Sequence, residues 1–160
     1  MLCAAAHKTH RGTITNADFL FAYFDLPRSA EVDSELVFRL ADATLNQGHI
    51  DVAAFKARLA RCKGEVSAVM VSRLNPTEIV LIKGNNPLEV RYNRARKVVA
   101  YSSDAVYLDT VLVGDRRWRP IDLKPMTIAT FSCDHLETPN CEPFKLTLDR
   151  YLKEGNSTLC

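Results

Sequence analysis

The hydrophobic pattern of this chain changes at Glu65, and this change constrains the fold more than any other feature of the sequence. Before it, apolar residues recur at helical spacing, whereas the runs after it are β-branched and typical of strands. Helices followed by strands predict an α+β domain built from layers, with antiparallel sheets. Several strands are apolar on both faces, so we expect the sheet to be covered on both sides.

The first part of the chain predicts three helices. Their apolar residues recur at helical spacing over residues 17–23, 35–45 and 52–62. Each begins after a residue that caps helices well, and these candidate caps are Thr15 or Asn16, Asp33 or Ser34, and Asp51. These helices would supply one layer of the domain.

The later part predicts an antiparallel meander of about five or six strands. An Ala-rich run at residues 2–6 reads as a strand that enters a turn at residues 10–12. Two hairpins follow, one of residues 66–72 with 78–83 and one of residues 87–92 with 97–102. A short helix is then predicted at residues 104–111, and two more strands at residues 117–122 and 126–132. The first hairpin is joined through residues 75–77. The periodicity fades after Cys133, so residues 133–160 are expected to form an extension, packed on the domain or frayed.

Composition favours an ordinary intracellular protein. The 160 residues suffice for one domain, and 21 basic against 19 acidic residues leave a formal charge of +2, which argues for neither a nucleic acid nor a membrane partner. The five cysteines are scattered and no secretory signal precedes them. We therefore expect a cytoplasmic location and reduced thiols.

Two residues in short motifs point to chemistry. Gly12 ends the first predicted strand, where a glycine turn offers backbone N–H groups to a developing oxyanion. Asp33 starts a helix, where an acidic side chain can hold a substrate ammonium group. Each residue also has a plainer reading, because Gly12 suits any turn with positive φ and Asp33 suits any helix N-cap. Five motifs occur in order along the chain, at residues 10–16, 32–35, 62–68, 85–88 and 99–105.

In that order the five motifs resemble the class II glutamine amidotransferase domain, which has the N-terminal-nucleophile (Ntn) hydrolase fold. The resemblance runs from about residue 3 to residue 132 and corresponds to the later part of the family's domain. It implies an αββα layered sandwich that is N-terminally incomplete in this chain. Residues 1–132 would form this partial domain and residues 133–160 its C-terminal extension.

The resemblance also implies roles for three residues. In the family, an N-terminal cysteine attacks the side-chain amide of glutamine and releases ammonia for transfer, with its own α-amine as the base. The family's oxyanion hole combines an Asn side chain with a Gly N–H. Gly12 corresponds to that glycine, Arg11 stands where the family has Asn, and Asp33 corresponds to the acid that binds the glutamine α-ammonium. No metal and no organic cofactor is implied.

Departures from the family lead us to expect no glutaminase activity from this chain alone. The family's nucleophile strand and its substrate-binding Arg loop have no counterpart in the sequence. Cys3 does not replace the nucleophile, because the bulky Leu2 normally blocks removal of the initiator Met1. A truncated reading frame, a decayed paralogue and one piece of a split domain, completed by another chain or by self-association, all remain open.

Two other functional classes also remain open. The first is a non-catalytic module that keeps the fold and binds an amino acid or a partner chain. The second, weaker one is a nucleic-acid binder that would use two basic segments, residues 91–97 and 116–119; solvated turns are the commoner explanation, so we expect no nucleic-acid partner. Cys133, His135 and Cys141 lack the paired spacing of a zinc site, so no metal ligands are predicted.

Overall fold

The structure is a computed structural model that describes residues 5–147, with side chains from Gly12 onward. Its four helices in that range are α1 (Ala17–Tyr23), α2 (Ser34–Asp42), α3 (Val52–Leu59) and α4 (Ala105–Val111). Its strands are β1 (Ala5–Arg11), β2 (Leu45–Asn46), β3 (His49–Ile50), β4 (Ser67–Ser72), β5 (Asn75–Lys83), β6 (Glu89–Asn93), β7 (Val98–Ser102), β8 (Trp118–Ile121), β9 (Thr127–Ser132) and β10 (His135–Pro143). None of these helices is long and apolar enough to cross a membrane.

The larger sheet has five antiparallel strands in the order β1-β4-β5-β9-β10. Its centre is the β4–β5 hairpin, and β9 pairs with the other edge of β5. β1 pairs with β4 and ends with Arg11 opposite Ser67. The turn that contains Gly12 therefore leaves the sheet beside the start of β4.

Helices α1, α2 and α3 cover one face of this sheet. Side chains alternate between the two faces of a strand, so every second residue of β4, β5 and β9 points toward the helices. Ala68, Met70, Val80, Ile82 and Ile128 are these residues, and all are buried. They form one core with the apolar faces of the helices, in which Leu36, Leu40, Phe55 and Leu59 are fully buried.

The other face of the larger sheet packs against a second sheet of three strands, in the order β7-β6-β8. Val69, Leu81, Ala129 and Phe131 from the larger sheet meet Val90, Val99, Tyr101 and Ile121 from the smaller one. α4 lies on the outer side of the smaller sheet, where Leu108 is buried and Asp109 pairs with Arg91 of β6. The layers are thus helix, sheet, sheet and helix, which confirms the expected α+β fold class with antiparallel sheets.

Most predicted elements are present, with several corrections. β1 continues to Arg11, where a turn was expected from residue 10, and α2 ends at Asp42, three residues before the expected end. The strands do not form one meander, because β6, β7 and β8 leave the larger sheet and build the second one. The turn of the first hairpin lies at Arg73 and Leu74, directly before the expected residues 75–77, since Ser72 pairs with Asn75. The short β2–β3 hairpin and β10 were not predicted at all. The division of the chain after residue 132 stays a prediction, and residues 148–160 lie outside the described range.

Candidate functional site

The turn after β1 runs antiparallel to the segment that leads into β4. Glu65 N donates to Thr13 O and Thr15 N donates to Lys63 O, each at 2.9 Å. An isolated bridge also joins Ile14 to Gly64. The first and third motifs of the sequence, residues 10–16 and 62–68, therefore lie against each other through their backbones.

Glycine is required on both sides of this contact. Gly12 has φ +127° and Gly64 has φ +122°, a region that side chains rarely adopt. A Cβ on Gly12 would collide with the carbonyl oxygen of Glu65 and would stand 2.8 Å from Asn86 Nδ2, while a Cβ on Gly64 would collide with Thr13 O. The two glycines let the backbones approach more closely than any side chain permits.

Asp33 joins this turn through a hydrogen bond that spans nineteen residues. Ile14 N donates to Asp33 Oδ2 at 2.6 Å, and the carboxylate is half-buried. Asp33 occupies the N-cap position of α2, but its side chain makes no capping hydrogen bond. The other oxygen, Oδ1, has no hydrogen-bond donor among the described residues. The structure thus brings the turn of Gly12 and the carboxylate of Asp33 together.

The loop that precedes Asp33 is attached to α2 by a buried carboxylate. Glu35 accepts from Ser29 N at 3.0 Å, Ala30 N at 2.7 Å and Arg39 Nη2 at 2.7 Å. Burial alone would raise the pKa of Glu35, but these hydrogen bonds and the charge of Arg39 together hold that pKa below its ordinary value. Glu35 therefore stays ionised and fixes the entry to α2. The sequence placed Glu35 in a motif without giving it this role.

Two amide side chains hold the segment that carries Gly64. Asn16 Oδ1 accepts from Lys63 N at 2.8 Å and its Nδ2 donates to Arg61 O at 3.0 Å. Asn85 Oδ1 accepts from Val66 N and its Nδ2 donates to Gly64 O, both at 3.1 Å. Each amide side chain therefore forms hydrogen bonds with two backbone groups that have no hydrogen-bond partner within a strand or helix. Asn16 and Asn85 belong to predicted motifs, and this is the physical reason for an amide at each position.

Arg11 is the last residue of β1, immediately before Gly12, and its side chain lies outside the described part of the structure. Its role in an oxyanion hole stays a prediction, as do the catalytic role of Gly12 and the ligand role of Asp33. Cys3 also lies outside the described range.

The described thiols do not supply a nucleophile to this turn. Cys62 is two residues from Gly64 but is fully buried, and burial raises the pKa of its thiol to about 12. It stays protonated at neutral pH, and only the thiolate is an effective nucleophile. Cys133 and Cys141 are free thiols in the β9–β10 hairpin. Within residues 5–147, no cluster of three or more His, Cys, Asp or Glu side chains is arranged to hold a metal ion.

The fold defined above is shared with glutamine amidotransferase structures. Glutamine phosphoribosylpyrophosphate amidotransferase from B. subtilis, complexed with ADP and GMP, superposes with a TM-score of 0.64 at 17% identity. The match covers 86% of this chain and 29% of that one. An allosteric regulatory enzyme of purine biosynthesis gives a TM-score of 0.66 at 16% identity, over 94% of this chain and 32% of the other. A glutamine aminotransferase class-II domain protein from Silicibacter pomeroyi gives 0.53 at 18% identity, over 86% and 66%.

Sequence similarity extends to one curated protein. The chain is 30% identical over 101 residues to 7-cyano-7-deazaguanine synthase from Saccharolobus solfataricus, which covers 63% of this chain and 21% of that protein. No protein-family model matches the chain. The chain spans less than a third of the length of this relative and of the first two of these structures. At such low identities the structural matches establish the fold, and they agree with the fold class expected from the sequence.

Proposed function

We propose that this chain is a glutamine amidotransferase type 2-like domain that carries part of a glutamine site. In this proposal Gly12 N–H is the remaining oxyanion donor, Arg11 is the altered residue of the hole, and Asp33 binds the α-ammonium of glutamine. The 160 residues alone do not hydrolyse glutamine, because they have no counterpart of the family's nucleophilic cysteine or of the arginine that binds the substrate carboxylate.

The observation that carries the proposal is the hydrogen bond from Ile14 N to Asp33 Oδ2 at 2.6 Å. It supports the proposal because it joins Asp33 to Ile14, two residues after Gly12, across nineteen residues of sequence. It also orients the carboxylate, since one oxygen is held by the backbone and the other has no donor among the described residues. An oriented, half-buried carboxylate with one accepting oxygen suits a small cation such as an ammonium group.

The ligand role of Asp33 is tested by the effect of L-glutamine on the thermal unfolding of the chain. We expect millimolar L-glutamine to raise the melting temperature of the wild type and to leave that of Asp33→Asn unchanged. The Asn variant keeps an oxygen that can accept from Ile14 N, so it should fold, but it lacks the charge that attracts an ammonium group. Glutaramic acid, which has the amide and the carboxylate but no α-amine, should not stabilise the wild type.

Asp134→Asn is the matched control, because Asp134 is exposed and lies in the β9–β10 turn, at the end of the larger sheet opposite the glycine turn. This variant should respond to glutamine as the wild type does. Equal glutamine stabilisation in Asp33→Asn and the wild type would show that Asp33 is not the ligand. Stabilisation by glutaramic acid would show that the site does not recognise the ammonium group.

The absence of glutaminase activity is tested separately. The purified chain should release no ammonia from glutamine above the buffer rate, and intact-mass analysis should find no adduct after exposure to a diazo-ketone analogue of glutamine. Such a reagent alkylates a thiolate that is activated at a glutamine site. An adduct on one cysteine, blocked by excess glutamine, would contradict the expected absence of activity. It would still be consistent with the proposed glutamine site.

A second candidate function, an interaction module that keeps the fold, is favoured by exposed apolar side chains on and after α4. Val106 and Tyr107 are each 63% exposed, and Val111 and Val113 are 78% and 80% exposed. β7, beside α4, ends the three-stranded sheet among the described residues and leaves an edge that can pair with another strand. A complementing chain or a second copy would cover this face.

Light scattering after size-exclusion chromatography tests the interaction module. Self-association should depend on concentration and should disappear in Val111→Lys/Val113→Lys. A chain that stays monomeric at every concentration would exclude the second copy and leave only a different partner.

A further inference from the structure

The two basic segments that the sequence separates meet at one end of the three-stranded sheet. The β6–β7 turn holds Arg94, Arg96 and Lys97, and the segment that leads into β8 begins at Asp115. β6 and β8 are neighbours, with Asn93 opposite Trp118. The turn and the segment therefore emerge side by side.

One carboxylate ties the two segments together. Asp115 Oδ1 accepts from Arg117 Nε at 2.8 Å, and its Oδ2 lies 3.6 Å from Arg96 Nη2. The hydrogen bonds from Arg117 hold the pKa of Asp115 down at about 2. Asp115 therefore stays negative and holds cations of both segments at close range.

Positive charge is concentrated at this end of the molecule, which we call the basic end. It consists of residues 94–97 and 115–119, and its exposed cations are Arg94, Arg96, Lys97, Arg116, Arg117 and Arg119. These six cations and the carboxylate of Asp115 give it a formal charge of +5. Asp134 and Glu137 line a cavity with Arg94 and Lys97 and bring the local sum to +3, so that the rest of the chain, whose total is +2, sums to −1. The near-neutral total therefore conceals a local excess of positive charge at this end.

The arrangement of these cations suits an extended anion better than a small one. The cavity beside the turn is lined by Arg94, Lys97 and His135, but also by Asp134 and Glu137, so its charges balance. The excess cations are spread over two exposed segments and do not converge on one point. A polymer with regularly spaced phosphates can contact such a spread of charge, because each neutralised phosphate releases a counterion.

Aromatic groups border the basic end, one on each face of the three-stranded sheet, because Trp118 lies opposite Asn93 and Tyr92 is the next residue along β6. Trp118 starts β8 between Arg117 and Arg119 and is half-buried, and Tyr92 of β6 lies opposite Arg119 and is also half-buried. Rings flanked by cations can stack on bases while the cations contact the phosphates.

We infer that the basic end binds the phosphate backbone of a single-stranded nucleic acid. This inference does not rest on the proposed glutamine site. It differs from the sequence-based expectation of no nucleic-acid partner, which relied on the total charge and on two segments considered separately. The structure brings the two segments side by side, and for this reason the inference differs from that expectation.

The test measures the fluorescence anisotropy of a labelled 20-nucleotide single-stranded RNA titrated with the 160-residue chain. We expect saturable binding at about 50 mM KCl that weakens roughly 20- to 50-fold at about 200 mM, as contacts to three or four phosphates imply. The double variant Arg94→Glu/Arg116→Glu should bind at least tenfold more weakly. Both side chains are exposed and neither one bonds to Asp115. Arg94 loses its contact with Glu137, 3.9 Å away, but exposed ion pairs contribute little to stability, so the variant should fold. Arg94→Gln/Arg116→Gln, a milder change, should weaken binding in the same direction.

Lys124→Glu/Lys145→Glu is the matched control. It changes the net charge by the same amount, and both lysines are exposed near the ends of β9 and β10 that lie away from the Cys133 turn. It should bind RNA within about twofold of the wild type. Equal weakening in both double variants would overturn the inference, since the effect would then come from net charge. No binding at about 50 mM KCl, or equal binding of a polyglutamate of the same length, would overturn it as well.

Discussion

At the scale of single residues, the candidate site depends on backbone geometry before it depends on side-chain chemistry. Gly12 and Gly64 let two backbones meet, and Asp33 fixes the resulting turn through Ile14 N. Glu35 in turn fixes the loop that leads to Asp33. A change at any of these positions is therefore expected to alter stability and site geometry together.

Gly12→Ala should destabilise the chain by about 2–4 kcal/mol, because the new Cβ collides with Glu65 O and an alanine would have to keep φ +127°. Urea denaturation followed by circular dichroism measures the loss. Gly114→Ala is the control, since Gly114 also has positive φ, +81°, but a Cβ there meets nothing within 4 Å. A similar loss in both variants would mean that backbone strain alone, without the close approach, explains the effect.

Glu35→Gln should lower stability at neutral pH by about 2 kcal/mol, because it removes a charge-assisted acceptor and leaves Arg39 without its buried partner. The folded-state pKa of Glu35 lies below its ordinary 4.5, so its contribution is present above pH 4.5 and is lost as the pH falls through the lower, folded value. The difference between wild type and variant should therefore shrink as the pH falls below 4.5. Denaturation midpoints measured from pH 7 to pH 3 test this, and a constant difference would contradict it.

Cys62 should be unreactive toward a thiol reagent such as 5,5′-dithiobis(2-nitrobenzoate) in the folded chain and reactive in urea. It is fully buried, and its pKa of about 12 leaves almost no thiolate at neutral pH. Cys141 is exposed and serves as the internal comparison in the same reaction. Peptide mapping assigns the labelled thiol, and rapid native labelling of Cys62 would contradict its burial.

At the scale of elements, the polar residues that precede α1 and α2 connect distant parts of the chain. Asn16 and Asp33 occupy N-cap positions, yet neither makes a side-chain capping hydrogen bond. Asn16 bonds to the segment at residues 61–63 and Asp33 to the turn at Ile14. Asp51 behaves as an ordinary cap, accepting from Ala54 N at 3.0 Å at the start of α3. The two exceptions both border the candidate site.

Asn16→Ala and Asp51→Ala should each cost about 1 kcal/mol, but they should loosen different amides. Loss of the Asn16 amide frees Lys63 N, so hydrogen exchange should accelerate at Lys63. Loss of the Asp51 carboxylate frees Ala54 N, so exchange should accelerate there. Amide exchange followed by NMR distinguishes the two patterns. Acceleration at the start of α1 in Asn16→Ala, with Lys63 unaffected, would show that Asn16 acts as a cap after all.

At the scale of the whole molecule, the larger sheet carries a core on each face. One core joins it to α1, α2 and α3, and the other joins it to the three-stranded sheet. β5 contributes alternate residues to both cores, with Val80 and Ile82 toward the helices and Leu81 toward the second sheet. The two layers of sheet are therefore held together by side chains from the same central strand.

Leu81→Ala should destabilise the chain by about 2–5 kcal/mol, because Leu81 is fully buried between the sheets and its removal leaves a cavity. Val113→Ala should change stability by less than about 0.5 kcal/mol, since Val113 is 80% exposed. Chemical denaturation of both variants, with equal unfolding slopes, gives the comparison. A small effect at Leu81 would mean that the two sheets do not share a tight core.

The sequence by itself determined the elements and the residue types of the candidate site. Hydrophobic spacing predicted the helices near residues 17, 35 and 52 and most of the strands, since periodicity reflects which side of each element is buried. The motif at residues 62–68 correctly contained the glycine that the turn of Gly12 requires, although only the structure gives the reason. β10 was missed because Pro139 and Pro143, together with several polar residues, hide the strand pattern.

Only the tertiary structure decided which of these elements and residues meet. It divided the strands between two sheets, because pairing between strands distant in sequence depends on the shared core and leaves little trace in local patterns. It likewise turned Asp33 from a candidate helix cap into a partner of Ile14, and it joined two basic segments into one surface. Local physics selects the elements of this protein, whereas contacts between distant residues place its candidate sites.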